Sequence, residues 1–469
     1  MEMTQEQISK IVSETLKALN VTGTGKTSSG SGRWLCDTAE EAIASAKSAQ
    51  RELNDMSLEK RGQLIAAMRK AALHNAEYLA KLANEETGYG RVQDKIAKNV
   101  LAATKTPGIE DLKTFAVSGD DGLMLTEMAP YGVIGSITPS TNPSSTVINN
   151  SISMIAAGNA VVYNPHPAAK KTSIESMRVL NQAIVAAGGP ATLICTVSEP
   201  TIETGNVIMN HKDIPLLSIT GGEAVVKVAM KTGKKVIAAG PGNPPVIVDD
   251  TAILEEAARD IVDGASFDNN VLCVAEKEVF AFNSITDKLM DLMVKNGACR
   301  VAGTDIDKII NTVLVKKDCG YVINRKYVGR SAEVILRDSG VSFSGQPRLV
   351  IADVPNDHPL VVTEMLMPVL PIVRVHSIEE AIDKAIAAEA GCHHSAMIHS
   401  QNVTHLSMAA RALNTTIFVK NAPSYAGLGF KGEGYTTLTI ATPTGEGLTS
   451  AKSFTRARRC VLHGNFRII

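Results

Sequence analysis

Cys273 lies in 266-SFDNNVLCVAEK-277, between an apolar pair and an Ala-Glu-Lys run, with no histidine in the next few residues to act as its base. As a thiolate it would be a nucleophile. As a thiol it would be one more small core residue, the common fate of a free cysteine. The stretch alone does not choose. The other cysteines are Cys36, Cys195, Cys299, Cys319, Cys392 and Cys460; the total of seven is odd, the spacing is wide and no Cys-x-x-Cys occurs. That pattern argues against a disulfide framework or a zinc site and for a reducing compartment. The sole Gly-x-Gly-x-x-Gly, 427-GLGFKG-432, is followed by Glu-Gly-Tyr-Thr-Thr rather than by a helix start. It reads as a glycine-rich loop, not a dinucleotide fingerprint.

The elements that must position such residues alternate. From Trp34 to about residue 110 the pattern is helical, with Thr38 and Glu41 spaced as a capping box. Then 132-GVIGSIT-138, 160-AVVYN-164, 193-LICTV-197, 216-LLSIT-220, 235-KVIAAG-240 and 245-PVIVDD-250 read as strands. Helical segments separate most of them, including 144-SSTVINNSISMIAAG-158 and 169-AKKTSIESMRVLNQAIVAAG-188. Strand–helix alternation implies a parallel, doubly wound sheet, whose ligands bind beyond the carboxyl ends of the strands. Those ends carry Thr138 and Pro139, Pro165 and His166, Thr220 with Gly221 and Gly222, and Ala239 with Gly240, all candidates for cofactor contact. The Thr-Gly-Gly turn opens a helix, where glycines let a phosphate or nicotinamide approach the backbone. A second α/β unit follows Cys273, with strand-like 278-EVFAF-282, 348-RLVIADV-354 and 395-SAMIHS-400. The tail 459-RCVLHGNFRII-469 reads as a strand that needs a partner, such as another subunit.

Composition narrows the function classes. Apolar residues are 44% and charged residues 20%, and the net charge is -1. There is no bulk field to attract nucleic acid or an anionic membrane. No apolar run approaches the roughly 20 residues of a membrane span. Residues 4–20 place Ile8, Ile11, Val12, Leu16 and Leu19 on one face of a short helix, and 21-VTGTGKTSSGSG-32 reads as a flexible linker. Such a helix either folds back on the main domain or docks another protein.

Seven segments together resemble the aldehyde dehydrogenase superfamily, and most of all its coenzyme-A-acylating branch, the microcompartment propionaldehyde and acetaldehyde dehydrogenases. They are 130-PYGVIGSITPSTNPSSTVINNSISMIAAGN-159, 217-LSITGGEAVV-226, 234-KKVIAAGPGNPPVIVD-249, 264-GASFDNNVLCVAEK-277, 363-TEMLMPVLPIV-373, 391-GCHHSAMIHSQN-402 and 419-VKNAPSYAGLG-429. The resemblance implies two doubly wound α/β domains plus a small β oligomerisation element. Its expected organisation is an encapsulation helix over 1–20, a linker over 21–33 and a cofactor-binding domain over 34–250. A catalytic domain follows over 251–440, then a return segment and oligomerisation strand over 441–469. Residues 123–132 are expected to join the oligomerisation element of a homodimer or homotetramer.

The resemblance also assigns roles. Cys273 becomes the nucleophile toward a short-chain aldehyde, with propionaldehyde the leading substrate. Hydride passes to NAD and an acyl thioester remains on the sulfur. The oxyanion needs donors, the cysteine N–H and a side chain. Both Asn142 and Thr141 fit the latter in Pro139-Ser140-Thr141-Asn142-Pro143. Glu364, in 364-EMLMP-368, matches the carboxylate that holds the nicotinamide ribose, with Pro368 closing that motif. Two departures stand out. Hydrolytic relatives carry a Glu before a Gly-Gly turn to activate water, whereas this chain has Ala238 and Ala239. Its thioester therefore awaits a thiol, coenzyme A. Asn164 and Pro167 stand where the wider family holds the adenosine ribose with Lys and Glu. The pair His393-His394 is a candidate for contact with the cofactor or the incoming thiol. The implied location is the cytoplasm, within a microcompartment whose shell or core proteins meet residues 4–20.

Overall fold

The computed structural model describes residues 32–318 and 320–469. The helix read over 4–20, nearly all of the linker and Cys319 lie outside the described residues.

Two parallel sheets position everything that follows. The first has six strands, in the order Leu35–Cys36, Ile194–Val197, Ala160–Pro165, Val133–Thr138, Leu216–Thr220 and Lys235–Ala239. Every neighbouring pair is parallel. Chain order runs outward to one side of Val133–Thr138 and then to the other, so the crevice beside its carboxyl end is a topological switch point. Four strand ends are in register there, with Thr138 opposite Pro165 and Thr220 opposite Ala239.

The second sheet has seven parallel strands: Ala298–Val301, Leu349–Asp353, Val369–Val375, Glu278–Phe282, Pro245–Val248, Ser395–His399 and Ile417–Lys420. Pro245–Val248 belongs to this sheet, not to the first, where the alternation assigns it. The reason is connection length. A parallel neighbour in the same sheet needs a crossover of about a dozen residues or more. Only Gly240-Pro241-Gly242-Asn243-Pro244 separates Ala239 from Pro245. The chain therefore steps straight from the carboxyl edge of one sheet to the amino edge of the other. Val369–Val375 is a central strand that carries Pro371, a residue that lowers a strand reading because it lacks the N–H.

Helices are set by local signals. Thr38 Oγ1 accepts the N–H of Glu41 at 3.2 Å and opens Ala39–Asn54, but the Glu41 carboxylate accepts the N–H of Asp37 at 3.3 Å rather than that of Thr38, so only half of the capping box forms. The periodic run from Ser57 to Gly88 is two helices, Leu58–His74 and Ala76–Thr87, because the Asn75 amide bonds the Ala71 carbonyl at 2.8 Å and breaks the run. A third sheet is antiparallel: Phe115–Gly119, Gly122–Pro130 and Thr455–His463. The tail strand begins earlier than its sequence suggests and pairs within the chain along Gly122–Pro130.

Candidate functional site

The loop that carries Cys273 joins the helix Leu254–Ser266 to the strand Glu278–Phe282. Three consecutive residues in it, Asp268, Asn269 and Asn270, have φ of 48, 53 and 64°. Asp and Asn are the side chains that tolerate this left-handed region best. Each is also stapled. Asn269 Nδ2 donates to the Gly329 carbonyl at 2.9 Å, and Asn270 Nδ2 donates to the carbonyls of Ala265 at 2.8 Å and Glu276 at 2.9 Å. The Asp-Asn-Asn run is thus a turn-forming device that presents the cysteine.

Cys273 keeps partial exposure, while Lys277 and Glu276 beside it are buried. Burial pushes its thiol up to about 11; the Glu364 carboxylate adds to that, and Lys277, the cysteine's own N–H and Lys98 oppose it. Lys277 Nζ donates to Asn270 Oδ1 at 2.5 Å and lies 3.3 and 3.4 Å from the carbonyls of Asn270 and Leu272. It is a cation with no exit to water, anchored to the backbone just before the cysteine. Burial lowers its pKa, and Glu364 and Cys273 raise it. Glu364 is itself raised by burial, with Lys277 and the Gly242 N–H pulling the other way. Glu276 turns from the sulfur: its two oxygens accept the N–H and the hydroxyl of Ser424, both at 2.8 Å, and burial raises it to about 7.

These groups share one edge. Glu364 and Pro368 precede Val369–Val375, Cys273 and Lys277 precede Glu278–Phe282, Gly242 precedes Pro245–Val248, and His394 precedes Ser395–His399. Those four strands are adjacent, so the residues line the amino ends of neighbouring strands. His394 packs on Gly242, where a Cβ would lie 2.7 Å from its Cγ; only glycine admits the ring there. Burial and the nearby Lys277 lower His394 to about 4, so it is a neutral imidazole that shares a hydrogen with Ser395 Oγ at 2.8 Å. His393 is exposed.

The carboxyl edge of the first sheet collects the other predicted residues. Thr138, Pro165 and Ala239 are buried, Pro139, Thr220, Gly221 and Gly240 are partly so, and His166 and Gly222 are exposed. Thr138 Oγ1, at the switch point, is buried with no hydrogen-bond partner among the described residues. A Cβ at Gly222 would meet nothing within 4 Å. An orphan hydroxyl and an open glycine turn at a helix start suit the phosphates and sugar of a dinucleotide. Ala238 and Ala239 end their strand without a carboxylate, and Asn164 is spent on the start of the helix Ile202–Asn210, with its amide bonding Thr201 and Thr204.

Asn142 and Thr141 stand together rather than as alternatives. Asn142 Nδ2 donates to Thr141 Oγ1 at 3.2 Å, and Asn142 Oδ1 accepts from Lys98 Nζ at 2.5 Å. Next to them is a narrow apolar cavity lined by Lys98, Leu272, Leu438 and the ring cluster Phe267, Tyr425 and Phe430, whose centroids lie 5.2–5.7 Å apart. Lys98 and Lys277 are the residues that sequence reasoning passed over. For Lys277 there was a signal: Glu276-Lys277-Glu278 puts three charges in an otherwise apolar run that leads into a strand. For Lys98, 175 positions before Cys273 on a helix, there was none.

The model of the aldehyde dehydrogenase family matches residues 14–437. The chain is 51% identical over 433 residues to the acetylating acetaldehyde dehydrogenase EutE of Salmonella typhimurium, which covers 92% of each chain. It is similar to the solved propionaldehyde dehydrogenase of a fucose-utilisation microcompartment from Clostridium phytofermentans, at 48% identity and TM-score 0.91, over 93% of this chain and all of that one. It is also similar to the Rhodopseudomonas palustris propionaldehyde dehydrogenase solved with coenzyme A and an acylated cysteine, at 47% identity and TM-score 0.90, over 92% of this chain and 99% of that one. The chain belongs to the aldehyde dehydrogenase family, in its coenzyme-A-acylating branch.

Proposed function

We propose that the protein oxidises a short-chain aldehyde with a nicotinamide cofactor and coenzyme A, to acyl-coenzyme A and the reduced cofactor, through a thioester on Cys273. The reading rests on a thiol whose pKa the Glu364 charge raises and the Lys277 charge lowers, in a chain whose Ala238 and Ala239 bring no carboxylate to the end of their strand. The Cys273 thiolate adds to the aldehyde carbon; a C–S bond forms and the carbonyl electron pair moves to oxygen. Asn142 Nδ2, the Thr141 hydroxyl and the Cys273 N–H are the donors we assign to that oxyanion. The nicotinamide ring, when bound, accepts the hydride that leaves the same carbon. The acyl group stays on Cys273 until the thiol of coenzyme A forms its own C–S bond and expels the cysteine sulfur as thiolate.

Glu364 is assigned to the ribose diol. A diol that donates to this carboxylate weakens its hold on the thiol and leaves Lys277 to lower the thiol pKa, so cofactor binding itself readies the nucleophile. Thr138, Pro139, Pro165, His166, Thr220, Gly221, Gly222, Ala239 and Gly240 are assigned to the cofactor along the first sheet, with Pro368 and His394 closing the site from the second. Exposed His393 is assigned to the incoming thiol. Propionaldehyde and acetaldehyde are the substrates proposed, being the aldehydes of the similar enzymes named above.

The test is reduced-cofactor formation from propionaldehyde with and without coenzyme A. The expected result is multiple turnovers only with the thiol, and at most one equivalent per active site without it. Equal sustained rates would establish hydrolysis, with Glu364 the carboxylate to examine, and would overturn this reading. The boundaries at 34 and 440 are proposed as limits of functional units, and the cofactor-binding unit is proposed to end within Gly240–Pro244 rather than at 250, because Pro245–Val248 lies in the second sheet. The antiparallel sheet, with Phe115, Val117, Val461 and Leu462 exposed, is proposed as the homo-oligomer interface. Residues 4–20 are proposed as the segment that joins microcompartment proteins; deletion of residues 1–20 should keep activity and abolish co-purification with shell proteins.

A further inference from the structure

Asn142 occupies the N-cap position of the fully buried helix Pro143–Ala156, yet its side chain makes no capping bond. Asparagine is among the best N-cap residues, and the cap is forgone here. Its amide is held elsewhere. Lys98 Nζ, a donor only, lies 2.5 Å from Asn142 Oδ1, which fixes the amide orientation and turns Nδ2 away from the lysine. One N–H of that Nδ2 bonds Thr141 Oγ1, and among the described residues no other acceptor meets it. Lys98 is 4% exposed and is itself clamped by the Asp268 carboxylate, which is 0% exposed. Asp268 also accepts from Lys95 Nζ at 3.1 Å and from the Arg91 N–H at 2.7 Å, and it is the first of the left-handed residues that lead to Cys273. The fit is close on every side: a Cβ at Gly90 would lie 1.9 Å from Asp268 Oδ1.

We infer that Lys98 is a positioning residue for the oxyanion site: it locks the Asn142 amide with its N–H free for the substrate oxygen and ties that amide, through Asp268, to the loop that carries the nucleophile. The inference rests on the assignment of Asn142 as an oxyanion donor. The alternative is that Lys98 only neutralises Asp268. A lysine that merely balances a buried carboxylate would affect stability, and its effect on chemistry would be independent of Asn142.

A double-mutant cycle on the pre-steady-state burst of reduced cofactor separates the two. Asn142→Ala is expected to slow the burst about 10²–10³-fold, the usual effect of removing one oxyanion donor. Lys98→Met is expected to slow it about 10–100-fold without a change in the KM for NAD, and to add less than about twofold in the Asn142→Ala background, because the two residues act as one unit. Multiplying losses, or a wild-type burst in a folded Lys98→Met enzyme, would overturn the positioning role while leaving the donor assignment intact. A wild-type burst in Asn142→Ala would overturn both. If Lys98→Met does not fold, Lys98→Arg keeps the charge on Asp268 but changes the reach to Asn142. It is expected to fold and to lose at least about fivefold of the burst, by the ordinary sensitivity of oriented groups to misplacement; full burst rate in Lys98→Arg would sink the idea.

Discussion

The two sheet edges that Gly240–Pro244 connects are built on opposite plans. The carboxyl edge of the first sheet offers hydroxyls, glycines and a helix start, with Thr138, Thr220, Gly221 and Gly222 and no buried charge among them. The amino edge of the second is crowded with titratable groups: Lys277, Glu276, Glu278 and His394 are buried, and Cys273 and Glu364 are partly so. A surface that binds a polyanion reversibly needs donors that cost little to expose. A surface that reacts needs groups whose protonation can be moved by neighbours, and only burial makes those neighbours strong. The five residues from Gly240 to Pro244 hold the two plans within reach of each other.

The sharpest way to break this contrast is Cys273→Ala. Turnover should fall by at least about 10⁴-fold, as when a nucleophile is removed from a triad-type enzyme. Cofactor affinity, read by quenching of protein fluorescence or by calorimetry, should stay within about threefold, because binding belongs to the other edge. A comparable loss of affinity would show that the edges are not separable.

Glu364→Gln tests the link between them. Hydride transfer should slow about 10–100-fold through loss of ribose anchoring. In the cofactor-free enzyme the thiol should move the other way. The carboxylate raises the thiol pKa, so its removal brings the titration below about 11, measured as iodoacetamide alkylation against pH. A thiol that titrates higher in this variant would contradict the charge arrangement.

Lys277→Met is the reverse case. Its cation lowers the thiol pKa, so without it the titration rises above about 11 and alkylation at fixed pH slows. Each pKa unit corresponds to about tenfold less thiolate below the pKa. Circular dichroism would confirm that the loop still folds once three backbone and side-chain acceptors lose their donor. Alkylation as fast as in the parent would remove Lys277 from the account of reactivity.

The mildest change is Gly222→Ala. The space in front of Gly222 is open and its φ of -66° is ordinary, so the fold should keep its melting temperature. The added methyl group stands where the cofactor backbone contact is proposed, and the KM for NAD should rise about 2–5-fold. An unchanged KM would point to a cofactor path nearer Thr138.

Much of this was legible before any fold was seen, and the limits are physical. Strand–helix alternation marked the first sheet and its four functional ends, because period and strand-end chemistry are local properties. It misassigned Pro245–Val248, since a strand carries no mark of the sheet it joins; only the shortness of the Gly240–Pro244 connection does. The choice between Thr141 and Asn142 could not be made from spacing, and the fold shows the two hydrogen-bonded to each other. The sequence does not separate the roles of His393 and His394; in the fold His394 is 1% exposed and neutral, while His393 next to it is open to solvent.

The sequence by itself determined the side chains on which the proposed chemistry rests: the cysteine, the turn residues Asp268, Asn269 and Asn270, and the alanines at 238 and 239 that bring no carboxylate. These are identities, and no packing can change what a side chain is able to do. Tertiary structure decided the electrostatics. Lys98 reaches Asn142 across 44 residues and Asp268 across 170, and Glu364 comes to Cys273 from a strand that follows it by nearly 100 positions. Charges act through space in a medium whose dielectric depends on burial, and neither distance nor burial is written at any one position of the chain.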